Sequence, residues 1–285
     1  MRTSDASRLF TIRIGSARKH SAELVWALML VLALGVPVHG QSVVANAESM
    51  DGKYVASAGE GVSGTELISV LEAAAATGQP MALWQLGEMY ENGVGVEQDK
   101  VRAFGYFSKI ANENASAPPH SVEADIVARS FIKVGEYYKA GLPDAGIAPN
   151  QARARALLIH AASYFADADA QYRVGLMYLK GEEVAPNALL SKRWLSLAAH
   201  KGHVSAQAVL GDLLFNGYEG EDVSFGPQSV EGLMWLILAY EGTFGSEDEV
   251  WIGELLNRAM SIATPEQRME ANSAADSVRS RIARN

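Results

Sequence analysis

Four times in this 285-residue chain two glycines stand six residues apart: Gly87 and Gly93, Gly135 and Gly141, Gly175 and Gly181, Gly211 and Gly217. An alanine or serine sits five before each first glycine (Ala82, Ser130, Ala170, Ala206), and a Leu or Val directly precedes it (Leu86, Val134, Val174, Leu210). The residue three after is Tyr90, Tyr138, Tyr178 and then Leu214. At helical pitch these four positions share one face. Glycine inside a helix costs about 1 kcal/mol relative to alanine, so its recurrence needs a cause, and close approach of a partner helix supplies one. The second glycine suits a helix end with positive φ. An internal helical repeat of this kind constrains the whole architecture and points toward binding rather than catalysis.

A second helix follows each pair, marked by a bulky residue and a small one five later: Tyr106 with Ala111, Leu157 with Ala162, Trp194 with Ala199, and a degenerate Trp235 with Tyr240. Ahead of the first full unit, Leu67, Leu71 and Ala74-Ala75 ending at Gly78 read as a lone second helix, started by a capping box of Ser63 and Glu66. The residues predict a half unit and then four helix pairs, an all-α chain.

The repeat resembles the Sel1-like family, which is related to the tetratricopeptide fold. The best copies are Ala82 to Ala111 and Ala170 to Gly202, where the LG or VG, the Met-Tyr, the loop glycine and the terminal alanines stand in family register. The resemblance covers roughly residues 63–242 and implies an α/α solenoid whose antiparallel pairs stack as a right-handed superhelix. The first glycines are 48, 40 and 36 residues apart. The first interval therefore carries an insertion, Ala115 to Ile126 with Pro118-Pro119-His120, and the fourth copy carries a long acidic loop, Tyr218 to Pro227.

Residues 1–40 read as a secretory signal peptide. Arg2, Arg8, Arg13, Arg18 and Lys19 precede an apolar run from Leu24 to Val38, with a cleavage position near Gly40-Gln41. The run is short against the ~20 residues of a membrane span; the alternative is an uncleaved inner-membrane anchor. Either places the repeats outside the cytoplasm and leaves residues 41–62 as a linker. Removing residues 1–40 takes five of 24 basic and two of 33 acidic residues and moves the formal charge from −9 to −12. That acidity argues against nucleic acid and anionic membrane as partners. There is no cysteine, hence no disulfide or thiol chemistry.

Residues 243–285 read as two capping helices, a partner-binding tail being the alternative. Ser246 with Glu249 forms one predicted capping box, and Thr264-Pro265-Glu266-Gln267 a second with proline at the first helical position. Ala271, Ala274, Val278 and Ile282 make the apolar stripe of the last helix. No catalytic constellation, cofactor motif or small-molecule site stands out. His200 and His203 flank Gly202 at a repeat junction rather than forming a metal pair, and the SxxK string Ser16-Ala17-Arg18-Lys19 lies in the signal peptide. The expectation is a chain that is not an enzyme and has no catalytic, cofactor-binding or metal residues.

A closer similarity is carried by Leu86-Gly87-Glu88-Met89-Tyr90, by Ala199-His200-Lys201-Gly202-His203, by Gln207 to Phe215, and by the Pro-containing insertion after the first unit. With the signal peptide, these resemble the periplasmic exopolysaccharide-production negative regulators of alphaproteobacteria, the ExoR family. The resemblance implies a regulator that binds the periplasmic domain of a membrane sensor histidine kinase and holds its two-component pathway off. The alternative is a generic envelope scaffold of the same repeats.

One surface is predicted for such a partner. Positions three before, two before and one after the first glycine leave the packing stripe: Trp84, Gln85 and Glu88; Ile132, Lys133 and Glu136; Tyr172, Arg173 and Leu176. Trp84, Ile132 and Tyr172 would form an apolar ladder edged by charge. The competing reading packs these side chains on the second helix of the next pair.

Overall fold

The computed structural model describes residues 64–182, 184–220 and 223–282. Among these the chain forms α1 (Gly64–Ala76), α2 (Pro80–Asn92), α3 (Lys100–Glu113), α4 (Ala124–Ala140), α5 (Gln151–Ser163), α6 (Ala168–Lys180), α7 (Ala188–His200), α8 (Val204–Asn216), α9 (Ser229–Glu241), α10 (Glu249–Ile262) and α11 (Pro265–Ile282). Each helix from α1 to α9 packs on the next, α10 also meets α8, and α11 folds back on α9. The expected half unit and four pairs are α1, then α2/α3, α4/α5, α6/α7 and α8/α9. The predicted signal peptide and linker, residues 1–62, lie outside the described residues, as does Ser63 of the first capping box.

The small-residue register is the physical basis of the pairs. Ala82, Ser130, Ala170 and Ala206 have no exposure at all. A Cβ on Gly87 would lie 2.5 Å from the Phe107 ring, one on Gly175 2.7 Å from Leu195 Cγ, and one on Gly211 2.8 Å from the Gly232 carbonyl oxygen. No methyl group fits at those distances. Gly135 is looser, 3.3 Å from the Ala154 carbonyl oxygen. The second glycines all take positive φ, at 70, 76, 69 and 73°.

A backbone tie repeats with the glycines. The N–H groups of Asp99, Asn150, Asn187 and Gln228 donate to the carbonyls of Tyr90, Tyr138, Tyr178 and Leu214 at 2.9, 2.6, 2.8 and 2.7 Å. Asp99, Asn150 and Asn187 then cap the following helix with their side chains. Gln228 instead accepts a hydrogen bond from Lys192 Nζ at 2.6 Å.

Several expectations are corrected. The end of the predicted insertion is helical, because α4 begins at Ala124. The acidic loop contains a short antiparallel ribbon, β1 (Tyr218–Glu219) with β2 (Ser224–Phe225). The Ser246–Glu249 box does not form: the Ser246 N–H is taken by the Thr243 carbonyl at 2.7 Å, and the helix starts three residues later behind Asp248. The Thr264 box does form, with Thr264 N–H on Gln267 Oε1 at 3.0 Å and Gln267 N–H on Thr264 Oγ1 at 3.3 Å. Tyr240, offered as the small position of the last pair, is exposed. Among the described residues no helix is long and apolar enough to cross a membrane.

Candidate protein-binding cleft

The outward positions of α2, α4 and α6 meet at a cavity of about 700 Å³. One whole face of α4 lines it: Ala124, Asp125, Ala128, Arg129, Ile132, Lys133 and Glu136, spaced at three and four residues. Trp84 enters from α2, Ala168, Asp169 and Arg173 from α6, and Phe165 to Asp167 from the turn between α5 and α6. Pro119 and Ser121 of the insertion form part of its wall. The insertion is pinned on α5, where His160 Nε2 lies 3.3 Å from the Ala115 carbonyl oxygen and the Tyr164 hydroxyl donates to the Ser116 carbonyl at 3.4 Å.

Charge in the cleft is arranged in pairs that cross from one repeat to the next. Lys133 Nζ reaches Glu91 Oε2 of α2 at 2.6 Å. Arg173 joins Glu136 of α4 at 2.7 Å and Asp169 of its own helix at 2.8 Å. His203, at the start of α8, continues the chain with Nε2 3.7 Å from Asp169 Oδ1, while its Nδ1 accepts the Ala206 N–H at 3.2 Å. Burial alone would raise the Asp169 carboxyl, but His203 and Arg173 hold it below the usual carboxylate range. Asp167 behaves oppositely. Burial, followed by the charges of Asp169 and Asp125, pushes its carboxyl up.

The predicted surface residues divide between cleft and core. Trp84, Ile132, Lys133, Glu136 and Arg173 line the cleft. Ile132 shows only a 7% edge there, and Trp84 leans on Phe107 with ring centroids 5.0 Å apart. Glu88 is half-buried behind Trp84, whose indole hydrogen-bonds to it, and burial raises its carboxyl. Tyr172 is not in the lining; its ring stacks on His203 at 4.6 Å, and burial pushes its hydroxyl up to about 12. Leu176 packs against the core shared by α7, α8 and α9. Gln85 is corrected outright, being 4% exposed and so no surface residue. The apolar ladder therefore ends at two rungs, because the third helix turns its aromatic toward the α8 junction.

Asp125, Arg129, Phe165, Asp167 and Asp169 were not singled out from sequence. They come from the first two turns of α4, from the turn between α5 and α6, and from the first turn of α6, not from the glycine register. The one available signal was Asp167 as a helix-starting residue; its carboxylate accepts the Ala170 N–H at 2.7 Å. Among the described residues no group of three or more metal-ligating side chains is placed to hold an ion.

Comparison with known proteins finds the same repeat. The family described as Sel1 repeat matches residues 80–114, 132–163, 168–203 and 204–243, stepping over the insertion. An exopolysaccharide production negative regulator of Rhizobium meliloti (strain 1021) is 31% identical over 206 residues, 72% of each chain. A protein of the same description from Rhizobium leguminosarum bv. viciae is 30% identical over 213 residues, 75% of each chain. The crystal structure of a Sel1 repeat protein from Oxalobacter formigenes superposes with a TM-score of 0.55 at 23% identity, covering 75% of this chain and 80% of that one. That last likeness bears on the fold.

Proposed function

Since this chain belongs to the Sel1 repeat family, and its array aligns with exopolysaccharide production negative regulators, we propose that it is itself a negative regulator that acts by holding another protein. The alignment along nearly three-quarters of both relatives carries this reading. The partner we assign is the periplasmic domain of a membrane sensor histidine kinase, held so that its pathway stays off. Residues 1–40, read as a signal peptide, would deliver the chain to the same compartment. The cleft across α2, α4 and α6 is the surface we assign to the contact. It offers an aromatic edge, a cavity of about 700 Å³ and fixed charge, the ingredients of an interface centre.

Deleting the gene tests the regulatory role. Exopolysaccharide output is expected to rise and to return when the wild-type chain is restored. A membrane histidine kinase is expected to co-purify with the wild-type chain from envelope membranes. Unchanged polymer on deletion would leave a generic envelope scaffold as the function.

A further inference from the structure

The cleft described above has an uneven charge balance. Each of its basic side chains is already matched: Arg129 with Asp125 at 2.8 Å, Lys133 with Glu91 at 2.6 Å, Arg173 with both Glu136 and Asp169, and His203 against Asp169 at 3.7 Å. An incoming anion would have to break one of these pairs. Asp167 is different. Its carboxylate accepts the Ala170 N–H, and among the described residues no cationic nitrogen lies within ion-pair distance of it. The nearby cation Lys201 is committed elsewhere, to the Ala166 carbonyl and to Gln171 Oε1. The same cavity presents the half-buried face of Trp84, with the narrow exposed edges of Ile132 and Phe165 beside it, on which a side chain can rest.

We infer that the cleft takes an extended segment of a partner protein in which an arginine or lysine stands beside an apolar side chain, the cation settling on Asp167 and the apolar group on Trp84, Ile132 or Phe165. The inference rests on the cleft being the regulatory contact. A cation here gains a charge-assisted hydrogen bond in a partly desolvated site and relieves the repulsion that Asp169 and Asp125 exert on Asp167, each of which outweighs the pull of Arg129. The aromatic face of Trp84 suits the same guest. At long range the formal charge of −9 steers basic partners toward the protein.

Asp167→Asn is a selective probe because asparagine caps a helix about as well as aspartate, so α6 keeps its start while the charge goes. The measurement is fluorescence anisotropy of the purified protein with a labelled nonapeptide, one arginine flanked by leucines in an alanine–serine background. A twin peptide has neutral citrulline in place of arginine. The arginine peptide is expected to bind at least about tenfold more tightly than its twin, in line with a hydrogen bond to a charged group. Asp167→Asn should bring the arginine peptide down to the level of the twin. Asp144→Asn, an exposed aspartate outside the cleft, should change neither. Equal binding of the two peptides, no binding of either at millimolar concentration, or an Asp167→Asn variant that binds like wild type would each overturn the inference. Expression of Asp167→Asn in the deletion strain separates this idea from the regulatory one. Full repression by a variant that has lost the peptide defeats the cleft as the regulatory contact and spares the negative regulator. Unchanged polymer on deletion, with the peptide results as expected, defeats the regulator and spares the cation site.

Discussion

Among the described residues Ala166 is the one non-glycine with positive φ, at 55°. It directly precedes Asp167, the N-cap of α6, just as Gly78 precedes Gln79 before α2 and Gly202 precedes His203 before α8, both at 83°. The chain reverses by a left-handed residue at each junction, and in one of the three a side chain must bear it. For an L-residue that conformation costs roughly 1–2 kcal/mol, partly offset by the greater freedom glycine has when unfolded. Ala166→Gly should therefore stabilise the fold by up to about 1 kcal/mol, and Gly202→Ala should destabilise it by about the same amount. Gly202 makes the comparison clean, since a Cβ there would meet nothing within 4 Å and only the backbone is strained. Urea midpoints with unchanged m-values read both effects. A lower midpoint for Ala166→Gly would mean that the methyl group holds the turn.

Pairs of helices differ in how closely they approach, and the glycines report it. At α8/α9 the approach is backbone to backbone: a Cβ on Gly211 meets the Gly232 carbonyl, and one on Gly232 would lie 2.4 Å from the Phe215 nitrogen. Neither atom can swing aside as a side-chain tip can. Gly211→Ala should therefore cost about 1–3 kcal/mol despite the gain of about 1 kcal/mol in helix propensity. Gly135→Ala, with its nearest atom at 3.3 Å, should be close to neutral because the propensity gain offsets a small shift. Equal losses in the two denaturation curves would remove close approach as the reason for the glycines. This register made the pairs legible from sequence: spacing alone identifies a face too crowded for a methyl group. Where it lapses, legibility lapses too. Trp235 and Tyr240 stood in the expected register, yet Tyr240 lies exposed at the end of the last pair. Ser246 carried a capping signal that the turn after α9 overrode by taking its N–H.

At the scale of the molecule, the cleft was only half legible because it is assembled across repeats. The glycine register places Trp84, Ile132 and Arg173 on the correct sides of their helices, but the junction residues that complete the cleft follow from how successive pairs meet. The end of the array obeys simpler physics. An open solenoid leaves its last helix apolar on a face with no neighbour, and a cap must cover it. Here that helix is α9, buried without interruption from Leu233 to Ala239. Helix α11 supplies one cover: Ala271 and Ala275 are fully buried, Ala274 borders Val230 and Met234 of α9, and Arg279 donates from Nε and Nη2 to the Glu241 carboxylate at 2.9 Å each. Deleting residues 264–285 should therefore uncover an apolar strip that includes Met234. Each large apolar side chain returned to water costs roughly 1.5–3 kcal/mol, so a loss of about 3 kcal/mol is expected. The exposed strip should also make the shortened chain associate with itself as concentration rises. Sedimentation velocity across a tenfold concentration range, together with a thermal melt, reads both consequences. A monomeric deletion variant that melts with the full chain would show that α10 and α8 suffice to close the array and that α11 is free for other work.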